Sequence, residues 1–170
     1  MLAAGLTAGC WQPLYGNGPT PNSEGVQDKF AAVEIPPIPA AKGTPIARLA
    51  VSLRNALQFD LHNGAGKAFA PTYQLKVTIT STQFTSYLNP NTGLPEDLIE
   101  NLTAHYQLVE MASGKVVVSD IAYSHVSYDA PGSQQRFARQ RALLNAEDQA
   151  VEQAAQMMRN RLASYFVAGT

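Results

Sequence analysis

The sequence predicts an α+β fold: a two-layer sandwich in the order β-α-β-β-β-α, with two helices on one face of a four-stranded, mostly antiparallel sheet. Three observations carry this. Ile46, Leu49, Ala50, Leu53, Leu57 and Leu61 recur at helical spacing on one stripe. From Tyr73 to Thr80, apolar and polar residues alternate strictly, as on a half-buried strand. From about Ser133 to Ala168 the chain is alanine-rich, which favours helix. A chain of 170 residues supports one domain with a real core and is short for two.

At the N-terminus the only cysteine, Cys10, closes the small-residue run Leu6, Thr7, Ala8, Gly9. With no second cysteine it has no intrachain disulfide partner. Small residues before a cysteine suit a bacterial lipoprotein signal peptidase. Residues 1–9 are therefore expected to be a signal-peptide remnant, with Cys10 acylated by chains of the palmitate type. Each buried methylene contributes ~0.8 kcal/mol to such an anchor. No apolar run reaches the ~18–20 residues that span a bilayer, so attachment to the membrane would come from the lipid. Residues 10–28, rich in Gly, Pro, Asn, Thr and Ser, read as a lipidated flexible tether, and 29–170 as the single domain.

Within the domain, Lys29 to Ile35 is predicted to be the first strand, stopped by Pro36, Pro37 and Pro39, which cannot donate to a ladder. Thr44 as N-cap and Pro45 in the first turn open the first helix, and Asn63-Gly64 close it. The second strand covers Thr72 to Leu88, followed by the turn Asn89 to Gly93. The third is expected from Leu98 to Glu110, with Leu102, Ala104, Tyr106 and Leu108 inward. A turn around Gly114 returns the fourth, Val116 to Tyr128. If His105 pairs near Ala122, then Ile121, Tyr123 and His125 face inward and His105 outward. The last helix, one long or two in tandem, should bury Phe137, Leu144, Val151, Ala155, Met158, Leu162, Tyr165 and Phe166.

Little of the composition suggests catalysis. Twelve basic and thirteen acidic residues nearly cancel, against a nucleic-acid partner. With His105 and His125 on opposite faces and His62 at a helix end, no shared metal site or cofactor is expected. No serine lies in a nucleophile-elbow pattern and no glycine-rich phosphate loop occurs. Glu96, Asp97 and Glu100, and Glu147, Asp148 and Glu152, read as solvated acidic faces and not as acid–base pairs. The chain is thus read as a non-enzyme. Arg136, Arg139 and Arg141 crowd the start of the last helix, where the dipole does not favour cations. They either form a solvated basic face or bind an anionic lipid head group such as a phosphorylated glycolipid. Tyr73, Phe84, Tyr87, Tyr106, Tyr123 and Tyr128 exceed what one buried face needs, leaving some for an interface.

The run Gly9-Cys10-Trp11-Gln12-Pro13-Leu14-Tyr15-Gly16 resembles the start of the LptE family of lipopolysaccharide-assembly lipoproteins as found in alphaproteobacteria. The resemblance continues at Leu53-Arg54-Asn55-Ala56-Leu57, at Ser127-Tyr128-Asp129 with Phe137-Ala138, at Ala146-Glu147-Asp148-Gln149-Ala150 and at Arg161-Leu162-Ala163-Ser164-Tyr165-Phe166. It implies an outer-membrane lipoprotein on the periplasmic face, seated in the β-barrel LptD, supporting barrel assembly and helping to deliver lipopolysaccharide to the outer leaflet without catalysis. Only Cys10 carries over as a functional residue. Two other readings remain open at this level: a periplasmic auxiliary lipoprotein of a lipid-transporting ABC system, and a small secreted enzyme.

Overall fold

A computed structural model describes residues 25–64, 68, 70–130 and 135–168. In chain order these form α1 (Val26–Ala31), β1 (Val33–Glu34), α2 (Pro45–His62), β2 (Tyr73–Leu88), β3 (Pro95–Glu110), β4 (Val116–Asp129) and α3 (Arg136–Ala168). The leader, Cys10 and the tether up to residue 24 lie outside the described residues.

The sheet order is β1-β2-β3-β4, parallel between β1 and β2 and antiparallel elsewhere, so the sheet is mixed. The α+β sandwich read from the sequence is the observed one. The helix α2 forms where its caps place it. Pro45 occupies the first turn, and Asn63 ends the helix in the left-handed region at φ 49°. Gly64 follows at φ +79°, a conformation glycine adopts without a Cβ clash. Leu49, Leu53, Leu57 and Leu61 are all essentially inaccessible to solvent. Removing one of these side chains to Ala costs about 2–5 kcal/mol.

The helix α3 is one continuous element of 33 residues. It packs through small residues (Ala146, Ala150, Ala154, Ala155, Ala163), which let its backbone approach the sheet and α2 closely, with Val151, Met158 and Leu162 filling between. Phe166 closes the bottom of the core edge-on against Phe30 and Tyr73, ring centroids 5.8 and 5.3 Å away. Phe137, predicted in the buried stripe, is 88% exposed. It lies a full turn or more beyond the part of α3 that the sheet and α2 cover.

Two further expectations are corrected. Lys29–Ala31 is helical, and β1 is only Val33–Glu34. Val26 and Phe30, at i and i+4, are both buried, and helical spacing lets them face the core together. Gly25 N–H donates to the Asp28 carboxylate at the head of α1, and Lys29 Nζ donates to the Phe166 carbonyl at 3.3 Å, tying α1 to the end of α3. The second correction concerns β4. Ala104 pairs with Ala122 and His105 with Ile121, one residue from the expected register. The ladder shifts between Leu108 and Val109, where Val109 opposes Val116 and Val117 is the extra residue. A one-residue slip inverts a strand's faces. Val118, Ala122, Ser124, Val126 and Tyr128 therefore point into the core, while Ile121, Tyr123 and His125 point away from the helices.

Candidate functional surface

Both long helices lie on one face of the sheet, which leaves the opposite face of β2, β3 and β4 uncovered among the described residues. The pairing register orders that face into rows across the strands. From the hairpin end inward they are Phe84–Ile99–Ser127, Thr82–Asn101–His125, Thr80–Thr103–Tyr123, Thr78–His105–Ile121 and Lys76–Gln107–Ser119. Threonines and aromatics dominate, and formal charge is scarce. Phe84 is 58% exposed, Tyr87 48% and Tyr123 50%. Tyr73, Tyr106 and Tyr128 are taken by the core, so the six strand aromatics divide evenly between core and surface. Irregular pairing at Thr85, Tyr87 and Leu88 twists the hairpin tip, and residues 82–88 of β2 are exposed on both sides.

A groove of about 830 Å³ opens at the other end of this face. Its floor is the last two rows, Thr78–His105–Ile121 and Lys76–Gln107–Ser119. Pro36, Pro37 and Pro39 form its rim. The groove exists because of them. Continuing the parallel register of Val33 with Tyr73 would bring Pro36 beside Lys76, but prolines have no N–H with which to extend the ladder. The strand stops, and its continuation leaves a gap where another row of side chains would sit. Asp120 also borders the groove, but its carboxylate accepts from Arg161 Nε on α3 at 3.3 Å and from the Ile121 N–H at 2.8 Å.

The residues singled out from the sequence fall as follows. Cys10 lies outside the described residues. Arg136, Arg139 and Arg141 are all exposed on the first turns of α3. At about 100° per residue, Arg136 and Arg139 share a face and Arg141 points to another side. Arg139 lies within electrostatic reach of Tyr128, whose hydroxyl pKa is raised by burial and by the Glu100 carboxylate and lowered by that arginine. His105 and His125 share the uncovered face, contrary to expectation. Four residues along β3 separate their rows, about 13 Å, too far to share an ion. His125 Nδ1 hydrogen-bonds the Asn101 side-chain oxygen. His62 is buried and bonds the Val33 carbonyl through Nε2 at 2.9 Å, so it ties α2 to β1 and does not serve as a solvated cap.

The acidic clusters were only partly solvated faces. Glu100 is fully buried, accepting a hydrogen bond from Ser81 Oγ at 2.5 Å. Glu147 is buried against Arg48 of α2, which also reaches Asp148 at 3.4 Å. Both are structural: Glu147 bolts α3 to α2 where the alanine stripe begins. Among the described residues, no group of three His, Cys, Asp or Glu is placed to hold a metal ion, and no helix is long and apolar enough to cross a membrane. The groove was the feature the sequence reading missed. Its signal was the proline cluster directly after a strand.

The fold is shared with solved lipoprotein structures. A protein of Caulobacter crescentus described as a lipoprotein superposes with a TM-score of 0.62 at 17% identity, covering 84% of this chain and 96% of its own. Rare lipoprotein B of Shewanella oneidensis gives 0.54 at 16% identity, with 79% and 96% covered. An uncharacterized lipoprotein B of Nitrosomonas europaea gives 0.56 at 13%, with 81% and 84% covered. At these identities the likeness is one of fold. No curated protein sequence matches the chain. The family model for LptE, lipopolysaccharide assembly, matches residues 30–162, which is nearly the whole described domain. With helices, strands and match coinciding over that span, the chain belongs to the LptE family of lipopolysaccharide-assembly proteins.

Proposed function

We propose that this chain is an outer-membrane lipoprotein that seats in the β-barrel LptD, assists the barrel's assembly and helps deliver lipopolysaccharide to the outer leaflet. It is not an enzyme in this reading. Acyl chains on Cys10 hold it at the periplasmic face, and residues 10–24 connect the anchor to the domain. Arg136, Arg139 and Arg141 contact lipopolysaccharide phosphates, with Arg136 and Arg139 as the closer pair.

The observation that carries the reading is the bare sheet face in a chain of this family. A lone domain has reason to cover such a face with helices or charges, because open aromatic surface invites association. Here Thr, Tyr and Phe are presented on three long strands instead. Strands of ~14 residues at ~3.3 Å each, spaced ~4.8 Å apart, make a surface of roughly 600 Å². That approaches the ~800 Å² per partner of a stable interface, before any helix or loop contributes. A barrel interior, itself a curved sheet with polar side chains inward, is a surface that Thr and Tyr hydroxyls match.

The test is an affinity pull-down of the full chain from detergent-solubilised envelopes, with companions identified by mass. A stoichiometric large outer-membrane barrel is expected. Recovery of an inner-membrane transporter without a barrel would overturn the reading and favour an auxiliary subunit of a lipid-transporting ABC system.

A further inference from the structure

We infer that the open edge of β2 joins the same edge of a second copy of this chain, antiparallel, about a two-fold axis beside Thr82. The inference goes beyond the proposed function and does not rest on it.

The edge is a row of spare backbone groups. β1 pairs only with Tyr73 and Gln74, so beyond them β2 has β3 on one side and no strand on the other among the described residues. Two bonds at the start of β2 fix which groups are left over. Met111 N–H donates to the Thr72 carbonyl on the β3 side, and Tyr73 N–H donates to the Ala32 carbonyl on the β1 side. Alternation from there turns the N–H and C=O of Val77, Ile79, Ser81, Gln83 and Thr85 toward the open side. Such a row is a template for another strand, and proteins usually blunt it with charge or proline. From Val77 to Leu88 there is neither, and β-branched and aromatic residues prevail. The other edge of the sheet, β4, carries Asp120 and Asp129, and Asp120 Oδ1 accepts from the Ile121 N–H at 2.8 Å. One edge is guarded and the other is not.

Three features name a second copy as the occupant. The first is charge. Pairing about Thr82 sets Ser81 opposite Gln83, Ile79 opposite Thr85 and Thr80 opposite Phe84 of the second copy, with no like charges facing. Lys76, the nearest charge, falls level with Leu88 of the other copy. The second is position. The proline-rimmed groove at Lys76, Val77 and Thr78 and the half-exposed tip residues Tyr87 and Leu88 lie at matching distances on either side of Thr82. A two-fold rotation therefore carries each tip to the other copy's groove, and the apolar rings of Pro36, Pro37 and Pro39 wall it there. The third is area. The stretch from Val77 to Tyr87, at ~3.3 Å per residue, gives an edge ~35 Å long and ~10 Å deep. Tyr87 and Leu88 add roughly 200 Å² per copy. The total over both copies is then ~1,100 Å², just above the ~1,000 Å² of a specific interface. The pair is a weak, reversible state of the free chain, since Tyr87 cannot sit in a groove and against a barrel at once.

The experiment uses the full chain carrying C10A, in which an introduced thiol is the only one. Sedimentation over ~1–100 μM should show a reversible monomer–dimer equilibrium and nothing larger, because a two-fold pair is closed. T82K sets two ammonium groups opposite each other, and Q83P removes an edge donor without touching the ladder to β3. Each should raise the dimer Kd about tenfold or more. Y87S with L88S, both outside the buried core, should do the same by emptying the groove, about tenfold. S127P, which alters the β4 edge, should leave the dimer unchanged. On oxidation T82C should give a covalent dimer, since its Cα would face its mate at ~4.5 Å. T80C should not, because its mate lies ~13 Å along the strand. A monomer at every concentration, larger oligomers, loss of the dimer with S127P but not with T82K or Q83P, or equal crosslinking of T80C and T82C would each overturn the inference.

Discussion

Replacing Phe84, Tyr87 and Tyr123 together by serine should detach the chain from its barrel while leaving the fold intact. The three side chains are 58%, 48% and 50% exposed. At about 200 Å² per aromatic side chain, roughly 100 Å² of each is available to a partner, or ~300 Å² in all. At ~25 cal/mol per Å², complete burial would correspond to about 7 kcal/mol. Interfaces realise only part of such area, because side-chain ordering and imperfect polar pairing subtract from it. Taking half as effective leaves ~3–4 kcal/mol, a loss of a few hundred-fold in Kd. The folded chain alone should change by no more than about 0.5 kcal/mol, because none of the three rings is part of the buried core. The assay is competition between tagged variant and untagged wild type for barrel in detergent, with thermal unfolding of the free chain as control. Undiminished competition by the triple variant would refute the assignment of this face. A collapse in thermal stability would refute the claim that these rings are surplus to the core.

Other expectations are equally direct. Cys10→Ala should move the protein from the membrane fraction to the soluble periplasmic fraction, since the anchor's ~0.8 kcal/mol per methylene is lost, and unchanged fractionation would count against acylation. Removing Arg136, Arg139 and Arg141 together should weaken lipopolysaccharide binding about five- to tenfold at low salt and less at high salt, with Arg136 and Arg139 alone giving most of the effect. Tyr106 is buried beneath α3, and burial first, then the Asp120 carboxylate, push its hydroxyl pKa up to about 12, with Arg161 opposing. Its folded pKa lies above the unfolded value of about 10, so its contribution is full below pH ~10 and is lost as pH rises toward 12. Tyr106→Phe should therefore flatten the alkaline fall in stability over that window in chemical denaturation, and an identical fall would show that other groups cause it.

What was legible in the sequence had a strong local cause. The caps Pro45 and Asn63-Gly64 bound a four-leucine stripe, and nothing tertiary contradicted them. The alternation of Leu75, Val77 and Ile79 was equally self-sufficient. The failures came where one distant contact decides. Phe30 belongs to a strand by local preference, yet it is helical, where it is buried with Val26 and meets Phe166, far along the chain, edge-on. The β4 register turned on the single extra residue Val117, which no pattern in Val116-Val117-Val118 reveals, and it carried His125 and Tyr123 to the other face. Glu100 and Glu147 looked solvated because their partners, Ser81 and Arg48, lie on other elements. The groove was hidden for the same reason: its prolines were legible as a strand stop, but the floor they overlook is set by a three-strand register.

The central claim, that the helix-free sheet face is where this protein meets its barrel, is tested most directly by a photo-crosslinking residue at Thr103, midway along that face. In growing cells the account predicts an ultraviolet-dependent adduct with one large outer-membrane barrel. Adducts only with inner-membrane transport proteins, or none from Thr103 when positions on the helices crosslink the barrel readily, would contradict it.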